Sequence, residues 1–276
     1  MPAFVSRGNK ISAVHFRFNA WAKYPDWPLD AAIPPRVARA FRLPLVPARI
    51  GKRPIVLEGG AIDANGEGTL LTTEECLLDT KVQVRNPGLT RADMEQIFLR
   101  HLGIRQVIWL GRGIAGDDTH GHVDDLCRFV SSDTVVLCEE KNARDENHEV
   151  LLENRKRLRN IRLANGKSLK VISLPMPAPL VFEGRRLPAS YANFYIGNGV
   201  VLVPTFNDPA DRIALGILTR LFPTRRVTGI HAVDLVWGLG TLHCLTHEHL
   251  SSPELRNHSP RSSPSDGGNF NRMGRI

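Results

Sequence analysis

Cys244 closes the run Trp237-Gly-Leu-Gly-Thr-Leu-His-Cys244. A thiol becomes a nucleophile once it is ionised, and a nearby imidazole is a common aid. His243 places one next door, and Gly238 and Gly240 let the backbone come close to something. The same cysteine would equally suit a small buried position, the ordinary fate of a free thiol. A second group is Gly121-His122-Val123-Asp124-Asp125, preceded by Asp117-Asp118-Thr119-His120. In an extended segment His122 and Asp124 face one side, because strand side chains alternate. An imidazole beside a carboxylate is the material of acid–base work. The plain alternative is a turn with a surface charge cluster. A third group is Val56-Leu57-Glu58-Gly59-Gly60. Its glutamate reads as a buried acid near a cationic ligand, or as a loop residue in water.

Other chemistries are poorly served. His120-x-His122 and His247-x-His249 each offer only two spaced imidazoles, so no metal is expected. The net charge of +8 raises the question of an acidic partner such as RNA. The basic residues are scattered, however, except for Arg155-Lys-Arg-Leu-Arg159, which reads as the solvated face of a helix. One short cluster is too little for a nucleic-acid footprint. No apolar run approaches the ~18 residues that cross a bilayer, and Met1 to Ile11 have no apolar signal core. The four cysteines form no C-x-x-C pair, which fits a reduced, cytoplasmic protein. Cys76, Cys127 and Cys138 lie in apolar or strand-like runs and are expected in the core. No membrane and no nucleic acid are expected as partners, and the sequence is compatible with a homo-oligomer.

The elements that must hold these residues alternate between strands and helices. Asn65-Gly66 signals a tight turn before a strand at Gly68 to Thr73. Thr90 and Asp93 form a capping pattern ahead of Met94, Ile97, Phe98 and Leu102, which share one helical face. A strand follows at Gln106 to Leu110. In the middle, a strand at Thr134 to Cys138 precedes a polar helix from Asp145 to about Ala164 and a strand at Leu169 to Leu174. Near the end, strands at Tyr191 to Ile196 and Val200 to Val203 flank the turn signal Asn198-Gly199. Asp208-Pro209 then opens a helix to about Phe222, before a strand near Val227 to Ile230. The pattern is two strands, a helix and a strand, seen about three times, as in a ring or stack of blades. Residues 251–276, rich in Ser, Pro, Asn, Arg and Gly, read as a disordered tail after a domain spanning 1–250.

Taken together, the motifs resemble the agmatine deiminases, of the guanidino-group modifying or pentein superfamily. The resemblance rests on Phe18-Asn-Ala-Trp21 with Tyr24-Pro-Asp-Trp27, Leu57-Glu-Gly-Gly60 and Gly66-Glu-Gly-Thr-Leu-Leu-Thr-Thr-Glu-Glu-Cys-Leu-Leu78. It continues through Gly121-His-Val-Asp124, Ala189-Ser-Tyr-Ala-Asn-Phe-Tyr-Ile196 and Gly238-Leu-Gly-Thr-Leu-His-Cys-Leu245. It covers roughly residues 2 to 250 and implies an α/β pentein propeller around a central site. It implies Cys244 as nucleophile, His122 as acid–base group and Asp124 as a catalytic carboxylate that holds the guanidinium, and Glu58, the acid read above, is the second substrate-binding candidate. It implies a hydrolase of linear amidine C–N bonds acting on the small molecule agmatine, in putrescine biosynthesis, with no cofactor. The family also carries an Arg-Asp-x-Gly-Pro segment, whose aspartate holds the guanidinium, shortly before the position of Phe4-Val5. The expectation is therefore an incomplete first blade, an absent amino-terminal segment and impaired activity. The competing readings are a peptidyl-arginine deiminase of the bacterial type, and a non-catalytic pentein that binds a large partner such as a ribosomal subunit.

Overall fold

The structure is a computed structural model that describes residues 2–248. The expected tail at 251–276, and His249 of the second histidine pair, lie outside the described residues. Among the described residues, no helix is long and apolar enough to cross a membrane.

Four units share one plan: an antiparallel strand pair, then a helix, then a strand parallel to the second. The first unit contains β1 (Pro2–Arg7), β2 (Lys10–His15), α1 (Ile33–Ala40) and β3 (Leu45–Pro47). Both paired strands, the helix and the returning strand of this unit are present. The second contains β4 (Asp63–Ala64), β5 (Thr69–Thr73), the short α2 (Glu74–Leu78), α3 (Arg91–Leu102) and β6 (Gln106–Leu110). The third contains β7 (Cys127–Phe129), β8 (Thr134–Glu139), α4 (Glu146–Arg157) and β9 (Lys170–Pro175). The fourth contains β10 (Tyr195–Ile196), β11 (Val200–Thr205), α5 (Ala210–Leu221) and β12 (Arg226–His231).

The local signals act as their chemistry requires. The Asn65 side chain accepts from the amides of Glu67 at 2.8 Å and Thr69 at 3.0 Å, which folds the chain into β5. Thr90 and Asp93 cap α3 reciprocally, and Gly103 ends it in the left-handed region, at φ 71°. β5 is buried along its whole length, so it can bring Thr73 to the interior end where the site lies. One apolar core, around Phe16, Leu70, Met94 and Phe98, joins the first two units. A second, around Leu126, Val135, Tyr191, Phe194 and Leu218, joins the last two. Cys76, Cys127 and Cys138 are all buried.

Two elements are shorter than their sequence pattern implies. The helix expected to reach Ala164 stops at Arg157. Asn160 turns left-handed, at φ 56°, and Arg162 pairs with Ser168 in a bridge. The strand expected over Tyr191 to Ile196 is confined to Tyr195–Ile196. Ahead of it, Ser190 Oγ accepts from the Ala192 amide at 3.1 Å, a turn that aims Asn193 inward. The basic run of α4 is answered locally: Arg157 pairs with Glu74 at 2.8 Å, and Arg155 donates to Ser173 Oγ at 2.6 Å.

Candidate active site

The site forms where loops flanking the units meet: those carrying His122, Cys244 and Asn193, with Glu58 from the segment ahead of β4. The first loop carries His122. Thr73, at the end of β5, uses its hydroxyl twice. It caps α2 by accepting from the Cys76 amide at 3.0 Å, and it donates to the Gly121 carbonyl at 2.5 Å. Asp117 accepts from the amides of Gly121 at 2.8 Å and His122 at 2.9 Å. Gly121 sits at φ +87°, and a Cβ there would meet the Glu75 side chain at 2.8 Å, so no larger residue suits this turn.

His122, Asp124 and Asp125 are buried. They do not lie on a strand. Val123–Asp125 is a 3-10 turn, and His122 precedes it. The turn still brings imidazole and carboxylate together, with His122 Nδ1 3.9 Å from Asp124 Oδ1. On its other side, His122 Nε2 lies 3.4 Å from Glu58 Oε2. Glu58 is buried as well, with the Arg85 Nε donor 3.4 Å from its Oε1. Arg85 is pinned by the carbonyls of Gln83 and Thr119.

These contacts decide the charges. Burial works to raise Glu58, but hydrogen bonding to His122 and the Arg85 charge outweigh it and hold the carboxyl low. Burial works to lower His122, but contacts with Cys76 and Glu58 and the Asp124 charge carry it well above the ordinary imidazole value. The pair is therefore an imidazolium facing a carboxylate. A group with a raised value keeps its proton until the pH climbs through that value, so His122 should remain a proton donor at neutral pH. Glu58→Gln removes the anion, so His122 should deprotonate at lower pH. A 15N titration of the histidine signals reads this, and an unmoved midpoint would show that Glu58 is not the source.

The second loop carries Cys244. The chain turns at Leu239, in the left-handed region at φ 63°, between the two glycines of the motif. Only Gly240 serves a close approach, since its Cβ would lie 2.8 Å from Cys244 Cβ and 3.0 Å from Sγ. Gly238 faces open space. Cys244 as a residue is exposed, but its sulfur is turned inward. Sγ lies 3.1 Å from Asn193 Nδ2 and 3.4 Å from Asp124 Oδ2. Burial of the sulfur, then the Asp124 and Asp125 charges, push the thiol well above its ordinary value.

The third loop contributes Asn193, buried before β10. Its Oδ1 accepts from the amides of Thr241 at 3.2 Å, His243 at 3.1 Å and Cys244 at 3.3 Å, which shapes the cysteine loop. Its Nδ2 donates to Asp125 Oδ1 at 2.9 Å and Asp124 Oδ2 at 3.1 Å. His243 Nδ1 lies 2.6 Å from the same Asp124 Oδ2. Burial opposes ionisation of Asp124, but the His243 contact overcomes it and brings the carboxyl to about 2. Asp125 is pushed the other way, above the ordinary carboxylate range, by burial and by Asp124 beside it. Asp124 Oδ1 and Asp125 Oδ2 are buried with no hydrogen-bond partner in the protein. A buried carboxylate oxygen left open in this way suits a cationic guest.

All four residues expected at the site, Cys244, His122, Asp124 and Glu58, are thus linked through shared contacts. Sequence reasoning passed over Asn193, Arg85 and Asp117. Asn193 left a trace as an amide inside the apolar run Tyr191 to Ile196, and Asp117 only as part of the acidic run ahead of the His122 motif. Among the described residues, two sets place three donor atoms within 4.8 Å: Glu58, Cys76 and His122, and Asp124, Asp125 and Cys244. Neither completes the four-ligand nitrogen–sulfur shell of a structural zinc site, and we assign neither to a metal. His120, of the first histidine pair, binds Asp79 at 2.8 Å instead. A cavity of about 550 Å³ lies alongside, lined by Arg17, Lys23, Tyr24, Trp27 and Arg85 among others. Arg85 is common to the cavity and to the Glu58–His122 pair.

Relatives with the same architecture are known. The profile of the Porphyromonas-type peptidyl-arginine deiminase family matches residues 1–249. An agmatine deiminase of Pseudomonas fluorescens is 36% identical over 271 residues, covering 90% of this chain and 72% of that protein. One from Medicago truncatula is 36% identical, covering 87% of this chain and 69% of that protein. Among solved structures, the agmatine deiminase of Enterococcus faecalis superposes with a TM-score of 0.80 at 31% identity, covering 88% of this chain and 71% of that one. A cysteine-to-serine variant of the C. jejuni agmatine deiminase with substrate bound gives 0.76 at 32% identity, covering 86% and 68%. The fold is thus shared with the agmatine deiminase structures over about 70% of their length, and the chain belongs to the Porphyromonas-type peptidyl-arginine deiminase family.

Proposed function

We propose that the chain is an agmatine deiminase, hydrolysing the guanidinium of agmatine to N-carbamoylputrescine and ammonia in cytoplasmic putrescine synthesis. The observation that carries this reading is the open, buried carboxylate of Asp124 held between the Cys244 sulfur and the His122 imidazole. A guanidinium resists attack because it is resonance-stabilised, so it must be gripped and its charge answered. Asp124 would hold it. The incoming cation would also offset the carboxylate charges that keep Cys244 protonated, so that the thiol gives its proton to bulk water and the thiolate forms. The thiolate would add to the central carbon. His122, kept protonated by Glu58, would give its proton to the departing ammonia. The resulting amidino-thioether would then be attacked by water, with His122 taking the proton back, and its collapse would return the free thiolate. Every atom of the sequence is supplied by substrate, water and the chain.

The test is a substrate panel of agmatine, free arginine and a peptidyl-arginine. Agmatine should give the highest kcat/KM. Arginine adds a carboxylate next to an already anionic site, and burying that charge without a partner is costly. The family profile is named for peptidyl-arginine, so this arm is the decisive comparison. Faster citrulline formation in the peptide would transfer the assignment to that substrate, and no ammonia from any of the three would overturn it.

A further inference from the structure

His243 is not needed as the acid–base group, since His122 fills that place, yet its position is specific. The Oδ2 atom of Asp124 is approached by three donors: His243 Nδ1 at 2.6 Å, Asn193 Nδ2 at 3.1 Å and the Cys244 thiol at 3.4 Å. The three compete for one oxygen. The better His243 and Asn193 satisfy it, the less it draws on the proton of Cys244. Other charges also surround these atoms. Asp124 faces His122 and Arg128, Asp125 lies beside it, and Asp117 adds to the field at Asp125. Of these groups, only His243 combines a short contact to Asp124 with direct attachment to the cysteine.

We infer that His243 is a positioning residue that engages Asp124 and thereby governs how readily the Cys244 thiol gives up its proton. This rests on Cys244 being the nucleophile, but it can be tested without turnover. Removing the imidazole leaves the thiol proton as a better-placed donor to Asp124, which remains ionised at neutral pH through His122, Arg128 and Asn193. The thiol should then ionise at higher pH. A second consequence concerns Asp124. Its ionised form is lost as pH falls through its own value, and without His243 that loss moves upward. Binding of a guanidinium cation should therefore weaken at mildly acidic pH in the variant and hold in the parent.

The experiment follows alkylation of Cys244 by iodoacetamide across pH, with the modified peptide quantified by mass spectrometry. Peptide-level detection separates it from the buried Cys76, Cys127 and Cys138. The parent is compared with His243→Phe, which removes the donor, and His243→Gln, which keeps a side-chain N–H. The phenylalanine variant should show its midpoint raised by about one pH unit, or ~10-fold slower alkylation at a fixed pH below it. The glutamine variant should lie closer to the parent, and both should match it in circular dichroism. Guanidinium binding is read in parallel by calorimetry with agmatine at pH 5.5 and 8, with His243 intact or replaced in a Cys244→Ser background that does not turn the ligand over. Superimposed alkylation profiles for parent and both variants, or a downward shift in the phenylalanine variant, would overturn the proposal. If the phenylalanine variant does not fold, His243→Leu replaces it under the same criterion: an unchanged or lowered midpoint counts against. Should the parent release no ammonia from any substrate, the deiminase reading fails while the alkylation profiles still judge His243.

Discussion

Cys244→Ser should reduce ammonia release from agmatine by ~10³-fold or more while leaving agmatine binding within a few-fold of the parent. The loss is expected to be large because an alcohol is far harder to ionise than a thiol. The site makes ionisation harder still, with Asp124 and Asp125 on the same side as the sulfur. Binding should survive because Asp124, held by His243 and Asn193, keeps its geometry without the sulfur. The two readouts separate a missing nucleophile from a damaged site. Quenched parent enzyme should also carry an amidino adduct, located by peptide mass spectrometry on Cys244 alone. Cys76 is the sharpest internal control. Its sulfur is close to His122 and Glu58, but the side chain is buried and burial raises its thiol. Cys76→Ser should therefore retain an adduct on Cys244. An adduct on Cys76, or a serine variant at position 244 within tenfold of the parent, would rule Cys244 out as the nucleophile.

The parts of this arrangement that the sequence discloses are those written in local patterns. The Thr90 cap, the Asn65 turn, and the strands and helices of the second to fourth units follow from neighbours within a few residues. The glycine-flanked Glu58, His122-x-Asp124 and His243-Cys244 are short motifs, and they meet in space. What the sequence conceals is long-range. Asn193 matters through contacts with Asp124 and Cys244, 69 and 51 residues away. Arg85 does so through Glu58, 27 residues earlier, and no periodicity announces either. The first unit is hidden for a different reason. β1 and β2 carry Arg7 and Lys10 at their exposed ends, and α1 opens on Ile33-Pro-Pro, so neither strand nor helix stands out by alternation or stripe. Sequence also gives the wrong local geometry for a right contact. His122 and Asp124 meet across a 3-10 turn rather than by alternation along a strand.

Gly60→Ala should lower kcat/KM by ~10²-fold or more, although the change adds only a methyl group. At this position a Cβ would lie 2.5 Å from His122 Nδ1, 2.7 Å from Asp124 Oδ1 and 2.8 Å from Asp124 Oδ2. All three distances are well inside van der Waals contact, so something must move. Neither neighbour can move freely. Asp124 is fully buried and tied by His243 and Asn193, and His122 is buried with its backbone amide held by Asp117. The methyl would also occupy space beside the open Asp124 Oδ1, where the guanidinium is proposed to sit. Both effects disturb the alignment of acid, carboxylate and substrate, and a displacement of about 1 Å is enough to cost two orders of magnitude. The signature should be a combined rise in KM and fall in kcat, because Asp124 and His122 are displaced together. Stability should fall as well, by about 1–3 kcal/mol, the ordinary cost of overpacking, with no added backbone penalty, since Gly60 needs no left-handed angle. Gly199→Ala is the matched control: it lies in the turn before β11, with nothing within 4 Å of the added Cβ, and should leave turnover unchanged. A Gly60→Ala protein with parental kcat/KM would mean that His122 and Asp124 do not work from the positions they hold against this glycine.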